Sequence, residues 1–215
     1  MSDHAAFHEV DEAVRKDELK AWWGRYGTWI IAVAAIVVLA AAGLVGWRRY
    51  DASLRGEASA AYTEAIAKIP QDRPAALSEL EKQAASAPEP YRSLAALVAA
   101  QLRQPIEAQV TALTAVAPGL SSPDLADLAN VIAAYKSIDT PNGEAMVAKL
   151  EPLTASGRPF RLSVLELQAL VAGRKGDTKH ARDLWTEIAR DAEVPQGLAQ
   201  RAASMINFYG PAEAK

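Results

Sequence analysis

An uninterrupted apolar segment dominates the hydrophobic pattern of the chain. Residues 26–47 contain no charged side chain, whereas 23% of the whole chain is charged. As a helix with a rise of about 1.5 Å per residue, this segment would be about 33 Å long, slightly more than the ~30 Å hydrocarbon thickness of a bilayer. Nine of its residues are Ile, Val or Leu, so insertion is favourable by about 3–5 kcal/mol. The segment therefore predicts a transmembrane helix.

Aromatic and cationic residues mark both ends of this segment. Four of the five tryptophans lie at its borders, and Arg48 and Arg49 follow it directly, which is typical of the interface between a bilayer and water. A buried core helix is the alternative, but about twenty apolar residues on every helix face exceed what a small domain can cover. The residues that we expect to anchor the helix in the lipid bilayer are Trp29, Ile31, Val38, Leu44 and Trp47.

A cleaved signal peptide would also begin with an apolar segment. Its apolar region is about 7–15 residues long and is followed by small residues at the cleavage site. Here the segment is longer, and Trp47, Arg48 and Arg49 occupy the positions that would have to be small. The chain has no cysteine for a lipid-modified anchor. We therefore expect a retained single-pass anchor that follows a charged tail of residues 1–25.

Three small residues of the anchor, Ala35, Ala42 and Gly46, fall on one helix face. Ala42 and Gly46 are four residues apart, a spacing that lets two membrane helices approach closely. Such pairs are also common by chance in an alanine-rich segment. Helix–helix contact through this face is therefore a hypothesis.

Beyond residue 50, apolar residues recur at helical spacing in segments that proline or glycine separates. No segment shows the alternating pattern of a strand, so residues 51–215 are predicted to form an all-α domain. Ser122, followed by Pro123, is typical of a helix start. The predicted helices cover residues 51–69, 74–87, 91–103, 106–117, 122–138, 144–153, 160–174, 178–191 and 195–208.

These helices can be paired as tetratricopeptide-like repeats. In residues 162–195, a large and a small residue stand four apart in each helix, and Gly176 and Asp177 form the turn between them. Looser pairs cover residues 54–87, 91–118 and 124–154. The prediction is an α-solenoid of about four helix pairs with a final capping helix. The residues that define the best pair are Leu165, Ala169, Ala181 and Trp185.

Composition and motifs argue against several classes of function. Beyond residue 50 there are 17 Lys and Arg against 20 Asp and Glu, so no basic stripe exists to bind nucleic acid. Without cysteine there is no thiolate nucleophile or zinc–thiolate site. His4 and His8 are four residues apart, as a metal site on a helix would require, but a solvated terminus is the simpler interpretation. We expect no catalytic residues, metal, cofactor or small-molecule substrate.

What remains is a surface that binds other proteins. Stacked helix pairs form a groove that accepts peptide segments. The candidates for lining it are Tyr62, Tyr91, Tyr135 and Phe160, although each could instead pack in the core. Trp185 is assigned to the core, and His180 to the surface.

Several short motifs together resemble one known family. They are the sequence GWRRY at residues 46–50, AYTEA at 61–65 and KGDTKHARDLW at 175–185, after a tail containing EVDEAVRKDELK. In this order they resemble the YfgM-like family, and the tail is similar to its alphaproteobacterial forms. Members are ancillary subunits of the bacterial SecYEG translocon with a tetratricopeptide-like domain.

The resemblance implies an inner-membrane protein with a cytoplasmic tail and periplasmic repeats. It also implies that the SecYEG translocon and periplasmic chaperones are partners and that translocated proteins are assisted. Flanking charge does not decide the orientation, because four Lys or Arg residues precede the anchor and three follow it within the same distance. Two alternatives stay open: a structural scaffold for a division or outer-membrane assembly complex, and a repeat domain in the cytoplasm.

Overall fold

The computed structural model describes residues 3–210, and their side chains at residue 20 and residues 22–210. The side chains of His4 and His8 lie outside this part, so the metal hypothesis for them is not addressed. Within residues 3–210 the secondary structure is helical, without strands. The chain divides into two compact units, Met1–Leu54 and Arg55–Lys215. The predicted all-α fold is confirmed.

One continuous helix, α1, covers Asp3–Lys68. The sequence predicted the anchor and residues 51–69 as separate helices, and α1 also includes residues of the charged tail. They form one helix because no proline occurs before Pro70, and proline is the residue that most strongly ends a helix. Within α1 the apolar segment is long enough to cross a membrane, and none of its most apolar window is buried.

Eight shorter α-helices follow in the described part of the second unit. Seven have bounds within about two residues of the prediction. The predicted helix at residues 144–153 ends early, at Ala148, and a 3₁₀ turn covers Glu151–Thr154, because Pro152 lacks the N–H that an α-helix needs. The helices are α2 (Arg73–Ser86), α3 (Tyr91–Leu102), α4 (Ile106–Val116), α5 (Pro123–Ser137), α6 (Gly143–Ala148), α7 (Arg161–Arg174), α8 (Thr178–Arg190) and α9 (Gln196–Phe208).

Polar side chains cap α2, α5 and α8 at the start. The Ser122 hydroxyl accepts a hydrogen bond from the backbone N–H of Leu125 at 3.2 Å, as the sequence predicted. Asp177 likewise accepts from the N–H of His180 at 3.0 Å and begins α8. Gly176, just before it, has a φ of +79°, which only glycine adopts without strain. The turn predicted at Gly176 and Asp177 therefore forms because the glycine adopts the positive φ and the aspartate caps α8.

The core of the second unit is a series of clusters, each shared by successive helices. This pattern is typical of a solenoid, in which every element packs on its neighbours. Of the 28 buried apolar residues in the described part, 14 are alanine. Trp185 is 1% exposed in the last cluster, so its assignment to the core is confirmed. The clusters centre on Ala65, Leu80, Ala95 and Ala99; on Leu97, Ala100, Leu113, Ala117, Ala129 and Ala133; on Val131, Ala134, Val147, Leu150, Leu153, Val164 and Leu167; and on Leu165, Ala169, Leu184, Trp185, Ile188, Leu198 and Ala202.

Candidate protein-interaction surfaces

The first unit exposes the apolar residues that the sequence assigned to the bilayer. Each of the five expected anchor residues has more than half of its surface exposed. Apolar surface on this scale is unfavourable in water and is satisfied in lipid. The exposed fractions are Trp29 74%, Ile31 61%, Val38 66%, Leu44 51% and Trp47 68%.

Aromatic side chains contact one another at the N-terminal border of this segment. The ring centroid of Trp22 lies 5.7 Å from that of Tyr26 and 6.3 Å from that of Trp23. The indole of Trp23 covers Gly27, where a Cβ would lie 3.2 Å from Nε1. These residues form an amphipathic group of the kind that sits at the headgroup level of a bilayer.

The small residues Ala35, Ala42 and Gly46 are exposed on α1. A Cβ built on Gly46 would meet no atom within 4 Å. The face is therefore open to the close approach of a second helix. Contact between helices at this face stays a prediction.

Two of the four predicted groove aromatics contact each other in the first part of the second unit. The ring centroids of Tyr62 and Tyr91 are 6.0 Å apart with the planes tilted by 50°. Tyr62 packs against the cluster of Ala65 and Leu80, and burial raises the pKa of its hydroxyl. Both rings are half-buried, so each keeps an accessible edge.

The other two aromatics pack against the cluster that joins α5, α6 and α7. Phe160 lies at the N-terminus of α7 and, like Tyr135, is half-buried against this cluster. The structure therefore separates the four residues into two groups, Tyr62 with Tyr91 and Tyr135 with Phe160. Their part in binding a peptide stays a prediction.

Tyr135 belongs to a hydrogen-bond network around Glu166. Its hydroxyl donates to Oε2 of Glu166 at 2.7 Å. Arg201 donates from Nε to Oε1 of the same carboxylate at 2.9 Å. Burial raises the pKa of Tyr135, and the bond to Glu166 raises it further. The bond to Glu166 raises the pKa of Arg201.

Sequence reasoning missed Glu166, which is only 7% exposed. The signal that could have found it is a lone acid between Leu165 and Leu167 on an apolar stretch of α7. A buried carboxylate needs hydrogen-bond donors. The donors are 31 and 35 residues away in the sequence, so local spacing does not reveal them.

A groove of about 560 Å³ lies among α2, α3 and α4, and sequence reasoning missed it as well. We call it the alanine groove. Seven alanines and Val116 line it, with Glu81, Arg103, Glu107 and Thr111 as its polar residues. Arg103 Nη2 and Glu81 Oε1 are 2.7 Å apart. None of the four predicted aromatics is among its lining residues. The alanines are Ala84, Ala96, Ala99, Ala100, Ala108, Ala112 and Ala115.

Metal-binding chemistry does not define a site in the described part of the chain. Among these residues no group of three His, Asp or Glu side chains could hold a metal ion. His180 is exposed at the start of α8, as expected.

Comparison with known proteins adds a family and one relative. The family model of the tetratricopeptide repeat-like domain matches residues 20–202. The chain is 27% identical over 183 residues to the ancillary SecYEG translocon subunit of Escherichia coli strain K12. This alignment covers 82% of the chain and 87% of the relative. No solved structure matches the chain.

Proposed function

The chain belongs to the tetratricopeptide repeat-like family, and from this premise we propose that it is a membrane-anchored protein-interaction module of the Sec translocon. In this role the anchor holds the helical domain beside the translocation channel, and the domain binds other polypeptides. Neither catalysis nor a cofactor takes part.

The observation that carries the proposal is the extent of the similarity. The family match begins at residue 20, before the apolar segment, and ends at residue 202, in α9. The likeness to the translocon subunit covers most of both chains. The family model thus extends over the apolar segment as well as the repeats, whereas a relationship through the repeats alone would leave this segment unmatched.

The physical form of the chain supports the same role. Stacked helices offer extended surfaces that bind peptide segments. A single apolar helix with interfacial aromatics at both borders restricts these surfaces to the membrane. Together they would raise the local concentration of binding sites where polypeptides leave the channel.

We assign residues 1–25 to a cytoplasmic tail, residues 26–47 to the transmembrane helix and residues 51–215 to a periplasmic helical domain. The protein would lie in the bacterial inner membrane. Periplasmic chaperones would be further partners, and the translocated proteins would be assisted by both. The basis for this orientation and for the chaperones is the family resemblance.

Co-purification from mild detergent tests the proposed function. The tagged full-length chain is expected to retain SecY and a periplasmic chaperone. A variant that keeps α1 but lacks residues 70–215 separates partners of the anchor from partners of the helical domain. Recovery of a division or outer-membrane assembly complex without SecY would overturn the proposal in favour of a scaffold.

The orientation has its own test. A reporter enzyme that is active only after export is fused behind Lys215, and in a second fusion the same reporter precedes Met1. We expect activity from the first fusion only. Activity from the second fusion alone would place the helical domain in the cytoplasm.

A further inference from the structure

We propose that the alanine groove binds one amphipathic helix of a partner polypeptide, with bulky apolar side chains against the alanines and a lysine or arginine beside Glu107. The inference rests on the proposed function, because it names the kind of segment that the interaction module binds. It also moves the binding site from the four predicted aromatics to the surface of α2, α3 and α4.

The size of the groove fits two turns of a helix. Along α3 the groove extends from Ala96 to Arg103, which directly follows the helix, a distance of about 10 Å along the helix axis. The side chains that α3 itself contributes are alanine methyl groups, so a partner helix can approach to the lower end of the usual packing distance of about 8–10 Å. Since the floor provides no bulk, the partner must supply it, at positions i, i+4 and i+7.

The chemistry of the groove favours a helix over an extended segment. Its lining residues other than Arg103 lie in α2, α3 and α4, so most of their backbone groups away from the helix ends are hydrogen-bonded within the helices. An extended peptide buried there would lose water from its own N–H and C=O groups and find few partners for them, which is costly. A helix satisfies these groups internally and needs only apolar contact.

The charges of the groove point to a basic partner. Its two carboxylates are Glu81 and Glu107, and its one cation, Arg103, is already bound to Glu81. In the part of the chain with described side chains, Glu107 forms no ion pair. It lies in the first turn of α4. A lysine or arginine on the bound helix would complement this carboxylate and define the direction in which the helix lies.

The test uses a fluorescein-labelled 14-residue helical peptide with leucines at i, i+4 and i+7 and one lysine at the edge of this apolar face. Binding to the full-length chain in detergent micelles is followed by fluorescence anisotropy. A proline-interrupted peptide of otherwise equal composition reports whether the bound form is helical. A third peptide carries glutamate in place of the lysine.

Two variants alter the groove, and each has a matched control. Ala115→Trp fills the groove from an exposed position, and Ala203→Trp places the same bulk on an exposed position of α9. Glu107→Lys reverses the charge beside the groove. Glu193→Lys makes the same charge reversal at an exposed position between α8 and α9, away from the groove. We expect at least tenfold weaker binding for the two groove variants and unchanged binding for the two controls.

The glutamate peptide tests the same ion pair with the two charges exchanged between the peptide and residue 107. It is expected to bind weakly to the wild-type chain and to recover its affinity with Glu107→Lys, a result that loss of folding cannot produce. Equal binding by the wild-type chain and Ala115→Trp would overturn the proposal, as would equal binding of the proline-interrupted peptide. No binding of the lysine peptide to a wild-type chain that still retains SecY would overturn this inference and leave the proposed function intact. Binding of the lysine peptide by a chain that does not retain SecY would overturn the proposed function and leave the inference about the groove intact.

Discussion

The hydroxyl of Tyr135 on α5 donates a 2.7 Å hydrogen bond to the carboxylate of Glu166 on α7. Arg201 on α9 binds the same carboxylate through Nε at 2.9 Å and Nη2 at 3.3 Å. One buried acid therefore connects three helices, including the last one. The arrangement predicts how the end of the helical domain responds to substitution and to pH.

Arg201→Ala is expected to lower the free energy of unfolding by about 1–3 kcal/mol, because it leaves a buried carboxylate without its cation. Adding Glu166→Leu to this variant removes the buried charge, so the double variant should be more stable than Arg201→Ala alone. Urea unfolding followed by circular dichroism is measured for the wild-type chain, Arg201→Ala, Glu166→Leu and the double variant. If the double variant lost the sum of the two single effects, the residues would not be coupled.

The stability of the domain is expected to fall in alkaline solution partly through Tyr135. Its pKa in the folded state lies above the ordinary value of 10.0, so folding favours the protonated phenol. The resulting stabilisation is complete below pH 10 and is lost as the pH rises through the folded pKa.

Thermal unfolding at about pH 9 and about pH 11 tests this dependence. Tyr135→Phe should lose less stability between the two values than the wild-type chain. Tyr50→Phe, at an exposed position of α1, is the matched control and should behave like the wild-type chain. A wild-type slope for Tyr135→Phe would show that other groups carry the effect.

Three glycine-to-alanine substitutions should have graded effects. At Gly143 a Cβ would lie 2.6 Å from the carbonyl oxygen of Ile138 and would also clash with that of Ser137. Backbone must move to relieve this contact, at a cost of about 1–3 kcal/mol. At Gly173 the clash is with the hydroxyl end of Tyr209, a side chain that can turn aside, so the cost should be smaller.

Gly56→Ala is the third glycine-to-alanine substitution and serves as the control. No atom lies within 4 Å of its Cβ position in α1, and alanine is favoured over glycine in a helix by about 0.5–1 kcal/mol. The melting temperature should therefore rise or stay unchanged. The expected order of melting temperatures, from highest to lowest, is Gly56→Ala, then Gly173→Ala, then Gly143→Ala.

Val38→Arg should weaken membrane insertion. Arginine at the centre of a transmembrane helix costs about 2.5–3.5 kcal/mol, which offsets most of the gain from the apolar residues. Val38→Leu is the matched control. Alkaline washing of membranes is expected to release more of the arginine variant, and release of the wild-type chain to the same extent would contradict a transmembrane role for residues 26–47.

The helices of the helical domain were predictable because residues next to their ends favour the start or the end of a helix. Ser122 and Pro123 begin α5, and Gly176 with Asp177 separates α7 from α8, through local hydrogen bonds and backbone angles alone. The continuity of α1 was harder to see, since the hydropathy changes sharply near residue 48 while helical propensity does not. Absence of proline before Pro70 was the informative feature.

The surfaces were less predictable, because they depend on which helices pack together. The pattern of apolar positions identified Tyr62, Tyr91, Tyr135 and Phe160 as large residues on helix faces, but it does not tell which clusters they join. The alanine groove needs side chains from α2, α3 and α4 at once. On a single helix the alanines look like ordinary packing positions, and the groove is recognised only from the packing of the three helices.

A core that is half alanine gives the helical domain a particular thermodynamic character. Alanine loses no rotamer entropy when it is buried, and it removes less apolar area from water than leucine or phenylalanine. The heat-capacity change of unfolding scales with that area, as does the denaturant dependence of stability. The domain should therefore unfold with a low heat-capacity increment and a broad urea transition, and its stability should vary little with temperature.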